Sequence, residues 1–205
     1  MKYRLERVDF PTGVVQVTLD ENKVPSYNIK EGVAWDNIPM TPELETLARN
    51  CRAVCFGSLA QRSSVSRATI NAFVDLMPED SLKIFDINLR QHYFNEEIVC
   101  NSMNKADILK INDEEIIVVA EMLNITGKSQ KEICEVLLDR FALKMVILTC
   151  GDKGSYVLTA QESSWVDTPK VNVVSTVGAG DSFTGTFIAS ILLGKTVRQA
   201  HEAAV

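Results

Sequence analysis

The chain has 205 residues, 46% of them hydrophobic and 23% charged, with a net charge of −6. That is enough chain to bury a substantial core, and the acidic balance argues against general binding to nucleic acid or to anionic membranes, which require basic surface. No apolar run approaches the ~18 residues needed to span a bilayer, and Met1 to Arg7 lacks a signal-like apolar stretch, so a cytoplasmic protein is expected. The five cysteines (51, 55, 100, 134 and 150) include no Cys-x-x-Cys pair; Cys55, Cys134 and Cys150 stand in apolar stretches and are expected to be buried, reduced thiols.

In chain order, residues 14–29 read as a β-hairpin. Val14, Val15, Val17 and Leu19 favour a strand, Asp20 to Lys23 a turn, and Val24 to Ile29 the return, with Pro25 indicating a sheet edge. Residues 30–40 form a connector in which Trp35 reads as a packing anchor and Asp36 as either packing or function. Thr41-Pro42-Glu43 starts a helix: an N-cap, proline at the first helical position and an acid in the first turn.

From Arg52 onward, strands alternate with helices. Strands are expected at 53–56, 82–87, 107–111 and 145–149, followed by short ones near 156–158 and 164–166. Helices are expected up to Pro78, over about 95–104, 113–124 and 129–142, and from residue 181 with Phe183, Phe187, Ile188, Ile191 and Leu192 inward. Repeated βα units with apolar strands predict an α/β fold with a mostly parallel sheet and helices on both faces, and ligands at the carboxyl ends of the strands.

Four stretches at strand ends carry chemistry. Asp86-Ile87-Asn88-Leu89-Arg90 offers an acid, an amide and a guanidinium for sugar hydroxyls or phosphate; a solvated end with a local Asp–Arg pair is the plainer alternative. Asn112-Asp113-Glu114-Glu115 follows the next strand, and Asp113 could serve only to cap a helix. Thr149-Cys150-Gly151-Asp152-Lys153-Gly154 has glycines three apart, which permits a tight turn and a close backbone approach to a ligand. Ser175-Thr176-Val177-Gly178-Ala179-Gly180-Asp181 follows apolar Val171, Val173 and Val174 and opens a helix. Amides at that helix start could cradle an anion, with Asp181 placed to take a proton from an attacking hydroxyl; alternatively the glycines form a structural turn and Asp181 is a helix-capping acid. No Gly-x-x-x-x-Gly-Lys-[Ser/Thr] sequence is present, which excludes a P-loop kinase, and His92 and His201 read as surface or packing residues.

Thr176-Val177-Gly178-Ala179-Gly180-Asp181-Ser182-Phe183 resembles the C-terminal signature of the ribokinase-like (PfkB) family of sugar kinases. The stretches at 86–90, 112–115 and 149–154 resemble the family's other motifs in the same order, and Ala34-Trp35-Asp36-Asn37-Ile38 resembles a segment of its fructokinase-like members. The resemblance implies a ribokinase-like three-layer α/β/α fold, with residues 1–32 as a partial β lid and 33–205 as the nucleotide-binding and phosphoryl-transfer core. It implies ATP-dependent phosphorylation of a primary hydroxyl of a small sugar, fructose first. A 2-keto-3-deoxygluconate or nucleoside kinase is the alternative within the family, and a non-catalytic nucleotide-binding or assembly fragment the alternative outside it.

The implied catalytic group is Asp181 with Gly178, Ala179 and Gly180. Thr149, Gly151, Gly154 and Asn112 would contact the nucleotide, and Asn88, Arg90 and Asp86 the sugar. Asn112 and Glu115 would place Mg²⁺. ATP and Mg²⁺ are the implied cofactors. K⁺ is used by some members, but this chain has Ser175 where the family usually has an acid. In several members the hairpin strands pair between subunits. Relative to typical members the chain begins near the lid hairpin and ends within a helix, so a core incomplete at both ends is expected.

Overall fold

The computed structural model describes residues 6–19, 25–172 and 175–205. The expected turn at 20–23, Val173, Val174 and the first five residues lie outside the described residues. The chain divides into two compact units: Met1–Cys51 with Leu59–Glu79, and Arg52–Ser58 with Asp80–Val205.

In the first unit, β1 (Val15–Leu19) pairs antiparallel with β2 (Pro25–Ile29), placing Val15 opposite Ile29 and Val17 opposite Tyr27. Val15 and Val17 are both exposed, at 55% and 54%. Helix α1 (Pro42–Arg49) begins as its sequence dictates: the Thr41 hydroxyl accepts the Leu44 amide, Pro42 stands in the first turn, and acids follow. Before it, Asp36 is buried beneath Arg62, with Nε on Oδ1 and one terminal nitrogen on Oδ2, both at 2.9 Å. Burial by itself would raise the Asp36 carboxyl, but Arg62 and the Val33 amide together hold it below the usual carboxylate value. The same guanidinium stacks 4.2 Å from the centre of the Trp35 ring, so Trp35 is the packing anchor its sequence suggested. Helix α2 (Ser64–Leu76) is joined to this connector by Ser66, which donates to the Trp35 carbonyl and accepts the Ile38 amide, and by Thr69, which donates to the Ile38 carbonyl.

The second unit holds a six-stranded sheet in sequential order: β3 (Ala53–Phe56), β4 (Leu82–Asp86), β5 (Ile108–Asn112), β6 (Met145–Thr149), β7 (Ser155–Leu158) and β8 (Ser163–Val166). The first four strands are parallel, and β7 and β8 complete the sheet antiparallel. The period-two alternation of the strands sorts the apolar side chains into two cores. Phe85, Leu109, Ile111, Val146 and Leu148 pack with α3 (Glu96–Lys105), α4 (Glu115–Met122) and α5 (Gln130–Arg140). Ile84, Ile108, Ile147 and Val157 pack with α6 (Ala179–Leu192) and α7 (Val197–Ala204). Helices on both faces of a mostly parallel sheet make the expected three-layer α/β/α arrangement.

One cysteine departs from expectation. Cys134 and Cys150 are buried, but Cys55 is exposed. It is in register with Ile84, but β3 is the end strand of the sheet, so the packing that covers Ile84 does not enclose it. Among the described residues no helix is long and apolar enough to cross a membrane.

His201 is fully buried on α7, its Nε2 2.8 Å from the Ser155 hydroxyl and its Nδ1 2.9 Å from the Ser164 hydroxyl. It therefore joins α7 to β7 and β8, and its ring meets the edge of Phe183 on α6. Burial, reinforced by Arg198 and opposed by Glu202 on the same helix, pushes its pKa down to about 4. The unfolded chain, with a histidine pKa near ~6.5, binds the extra proton first, so stability contributed here is complete above ~6.5 and is lost as pH falls toward 4. Urea unfolding of the wild type should weaken across that window by more than that of His201→Asn, which has no imidazole to protonate. Equal pH profiles for the two proteins would contradict the assignment.

Candidate active site

The parallel strands deliver their carboxyl ends to one edge of the second unit's sheet, as the βα pattern requires. Asp86 ends β4, and Lys110 is its register partner on β5, so their side chains lie side by side on the sheet face covered by α6. The Lys110 ammonium donates to both oxygens of Asp86, at 3.0 and 2.8 Å. Both side chains are largely buried, at 9% exposed for Lys110 and 16% for Asp86. The Thr184 hydroxyl on α6 lies 3.0 Å from Asp86 Oδ2 and 2.9 Å from the Gly180 carbonyl. A Cβ added to Gly180 would sit 3.4 Å from the Lys110 ammonium, so this cation bears directly on the first turn of α6.

That turn starts at Gly178, whose φ of 82° belongs to the left-handed region where glycine is unstrained. Gly178 is the helix N-cap and supplies no side-chain hydrogen bond, leaving the dipole's positive end without a capping side chain. Asp181 follows in the first turn and is exposed. The Ser175 hydroxyl accepts the Val177 amide, a local turn contact.

Between β4 and α3 the chain turns through Asn88, whose φ is 43°. Asn88 and Arg90 are exposed while Ile87 is fully buried, so the alternation of the strand persists into the loop. After β6, Gly151 takes φ 57° and Gly154 φ 141°. A Cβ on Gly154 would meet the Val166 carbonyl at 2.5 Å and the Trp165 ring at 2.6 Å, so close packing as well as backbone conformation requires glycine here. The turn is closed by the Cys150 amide donating to the Gly154 carbonyl and by Thr168 donating to the Gly151 carbonyl.

Two adjoining cavities, each about 440 Å³, occupy this edge. Thr149, Gly151 and Gly154 line the first with Ala179, Phe183 and Ser155; Asp86, Asn88, Arg90, Gly178, Asp181 and Glu115 line the second. Asn112, Thr149 and Gly180 are common to both. Every residue expected to serve catalysis, nucleotide, sugar or metal therefore lines one cavity or both. Asp86, expected at the sugar, has its carboxylate engaged by Lys110 and Thr184. Lys110 was not among the expected site residues, and a lysine between Leu109 and Ile111 in an apolar strand is its signal in the sequence.

Asn112 and Glu115, expected to place a metal, are engaged with backbone. Asn112 Oδ1 accepts the amides of Glu114 and Glu115, capping α4, while the two Glu115 oxygens accept the amides of Leu89 and Asn112. Burial raises the Glu115 carboxyl, opposed by those same amides. No group of three or more His, Cys, Asp or Glu side chains able to hold a metal occurs among the described residues.

Breaking the buried pair should be costly. Lys110→Met leaves the Asp86 carboxylate without its cation and should lose about 3 kcal/mol in urea unfolding, most of it recovered in the Lys110→Met, Asp86→Asn double variant. Additive losses in the double-mutant cycle would contradict a coupled pair.

Residues 4–205 match the family described as pfkB family carbohydrate kinase. The chain is 29% identical to an ATP-dependent 6-phosphofructokinase of Thermoanaerobacterium thermosaccharolyticum, over 98% of this chain and 62% of that protein. It is 35% identical to "Probable fructokinase-5" of Arabidopsis thaliana, over 88% of this chain and 56% of that protein. A sugar kinase of Pyrococcus horikoshii, solved in complex with ATP, superposes with a TM-score of 0.76 at 25% identity, covering 97% of this chain and 64% of that one. An E. coli protein described as "putative Ribokinase II" has the same fold, with a TM-score of 0.77 at 19% identity over 96% of this chain and 63% of that one. The chain thus spans roughly six-tenths of the length of the curated relatives it matches. With its signature glycines and Asp181 at the strand ends of a ribokinase-like sheet, the chain belongs to the PfkB family of carbohydrate kinases.

Proposed function

We propose that this site transfers the γ-phosphoryl group of ATP to a primary hydroxyl of a small sugar, fructose being the first candidate. The observation that carries the reading is a single cavity holding Asp181, the uncapped start of α6 and the buried Lys110 cation, together with the exposed polar groups of Asn88 and Arg90. The adjoining cavity, with its Gly151–Gly154 turn, suits the rest of a nucleotide.

Asn88 and Arg90 orient the acceptor by hydrogen bonds to its hydroxyls. The Asp181 carboxylate takes the hydroxyl proton as the acceptor oxygen forms its bond to the γ-phosphorus and the bond to the β-phosphate oxygen breaks. Amides of the Gly178–Gly180 turn and the Lys110 ammonium face the charge that develops on the transferred group. A divalent ion would arrive with the nucleotide phosphates, near Asn112 and Glu115. The resemblance also assigns residues 1–32 as a lid, and the exposed Val15 and Val17 support self-association through the same hairpin.

The purified chain with ATP, Mg²⁺ and fructose should release ADP, and Asp181→Asn should lower that rate by at least ~100-fold without weakening ATP binding. Undiminished turnover in the variant would remove Asp181 from its role. ATP binding without ADP release by a folded wild-type chain would favour the nucleotide-binding fragment instead. Fructose inert beside active 2-keto-3-deoxygluconate or a nucleoside would reassign the sugar.

A further inference from the structure

We propose that Glu115 is a positioning residue that ties the acceptor loop at residues 86–90 to the end of β5. The inference rests on the phosphotransferase reading for its kinetic consequence, and on geometry alone for the clamp itself.

Loop 86–90 needs an external hold. Asn88 and Gln91 both sit at positive φ, 43° and 49°, a region that side chains other than glycine occupy at a cost. Two of the contacts that hold this backbone lie on either side of Asn88. The buried Ser58 hydroxyl donates to the Ile87 carbonyl at 2.7 Å, and the Leu89 amide donates to Glu115 Oε1 at 2.9 Å. They bracket Asn88 and leave the Asn88 and Arg90 side chains exposed toward the acceptor cavity they line.

The other Glu115 oxygen reaches across to β5. Oε2 accepts the Asn112 amide at 3.1 Å, and Asn112 in turn accepts the Glu114 and Glu115 amides through Oδ1. One carboxylate, only 8% exposed, therefore joins the loop after β4 to the end of β5, where Asn112 lines both cavities. A carboxylate is the side chain suited to this task, because it offers two acceptors and no donor to two converging N–H groups. Asn112-x-x-Glu115 spacing follows from the same geometry: the asparagine ends the strand and the glutamate opens α4, one helical turn on.

Glu115→Gln tests this, since its amide presents a donor where one of the two N–H groups expects an acceptor. Hydrogen exchange at the Leu89 or Asn112 amide should speed at least tenfold in the variant, with the amides of α6 unchanged. The KM for the sugar acceptor should rise at least tenfold. Unchanged exchange at both amides would overturn the clamp. An unaltered acceptor KM would overturn the positioning role. Should Glu115→Gln fail to fold, Glu115→Asp provides the same readouts, because the shorter carboxylate reaches only one of the two amides. If the wild type phosphorylates no sugar, the kinase reading fails, and the exchange comparison still decides the clamp.

Discussion

The arrangement of the site depends on a buried ion pair at the end of two parallel strands. Asp86 and Lys110 are register partners, so the sheet itself brings their charges together, and Thr184 connects the pair to α6. Below them on the same face the sheet is apolar, with Ile84, Ile108 and Ile147 packed against Phe183 and Phe187. The change from hydrocarbon to charge marks where the core ends and the cavity begins. A lone ammonium at that depth would be strongly penalised, and the carboxylate of Asp86 makes it tolerable. The pair thus allows a cation to sit beneath the glycine turn of α6.

A second carboxylate organises the loops instead of the strands. Glu115 faces two backbone amides, from the loop after β4 and from the end of β5. Asp86 and Glu115 divide the work: one neutralises a buried cation, the other satisfies backbone donors that converge between strand ends. Asp181 differs from both, since it is exposed in the first turn of α6. Three acids that line one cavity therefore have three environments.

Much of the fold was legible in the sequence. Apolar runs located each strand of the second unit, and Thr41-Pro42 marks the start of α1. The cavity-lining residues were legible too, because glycines, small polar groups and acids gather at strand ends for reasons of local backbone chemistry. Lys110 was not, since a lysine in an apolar strand shows its purpose only when its register partner is known. His201 was equally opaque: its two serine partners lie 46 and 37 residues away along the chain. Cys55 was expected to be buried because its strand is apolar, but its place at the end of the sheet leaves it exposed.

By itself, then, the sequence determined the alternation of strands and helices, the glycine turns and the set of polar residues available at the strand ends. These follow from local preferences: side-chain period, positive φ and the capping of helix starts. Only the tertiary structure decided which polar groups face one another. Pairing Asp86 with Lys110 depends on strand register, and directing Glu115 to Leu89 and Asn112 depends on two loops converging. Such contacts are long-range, and no local preference of the residues involved specifies them.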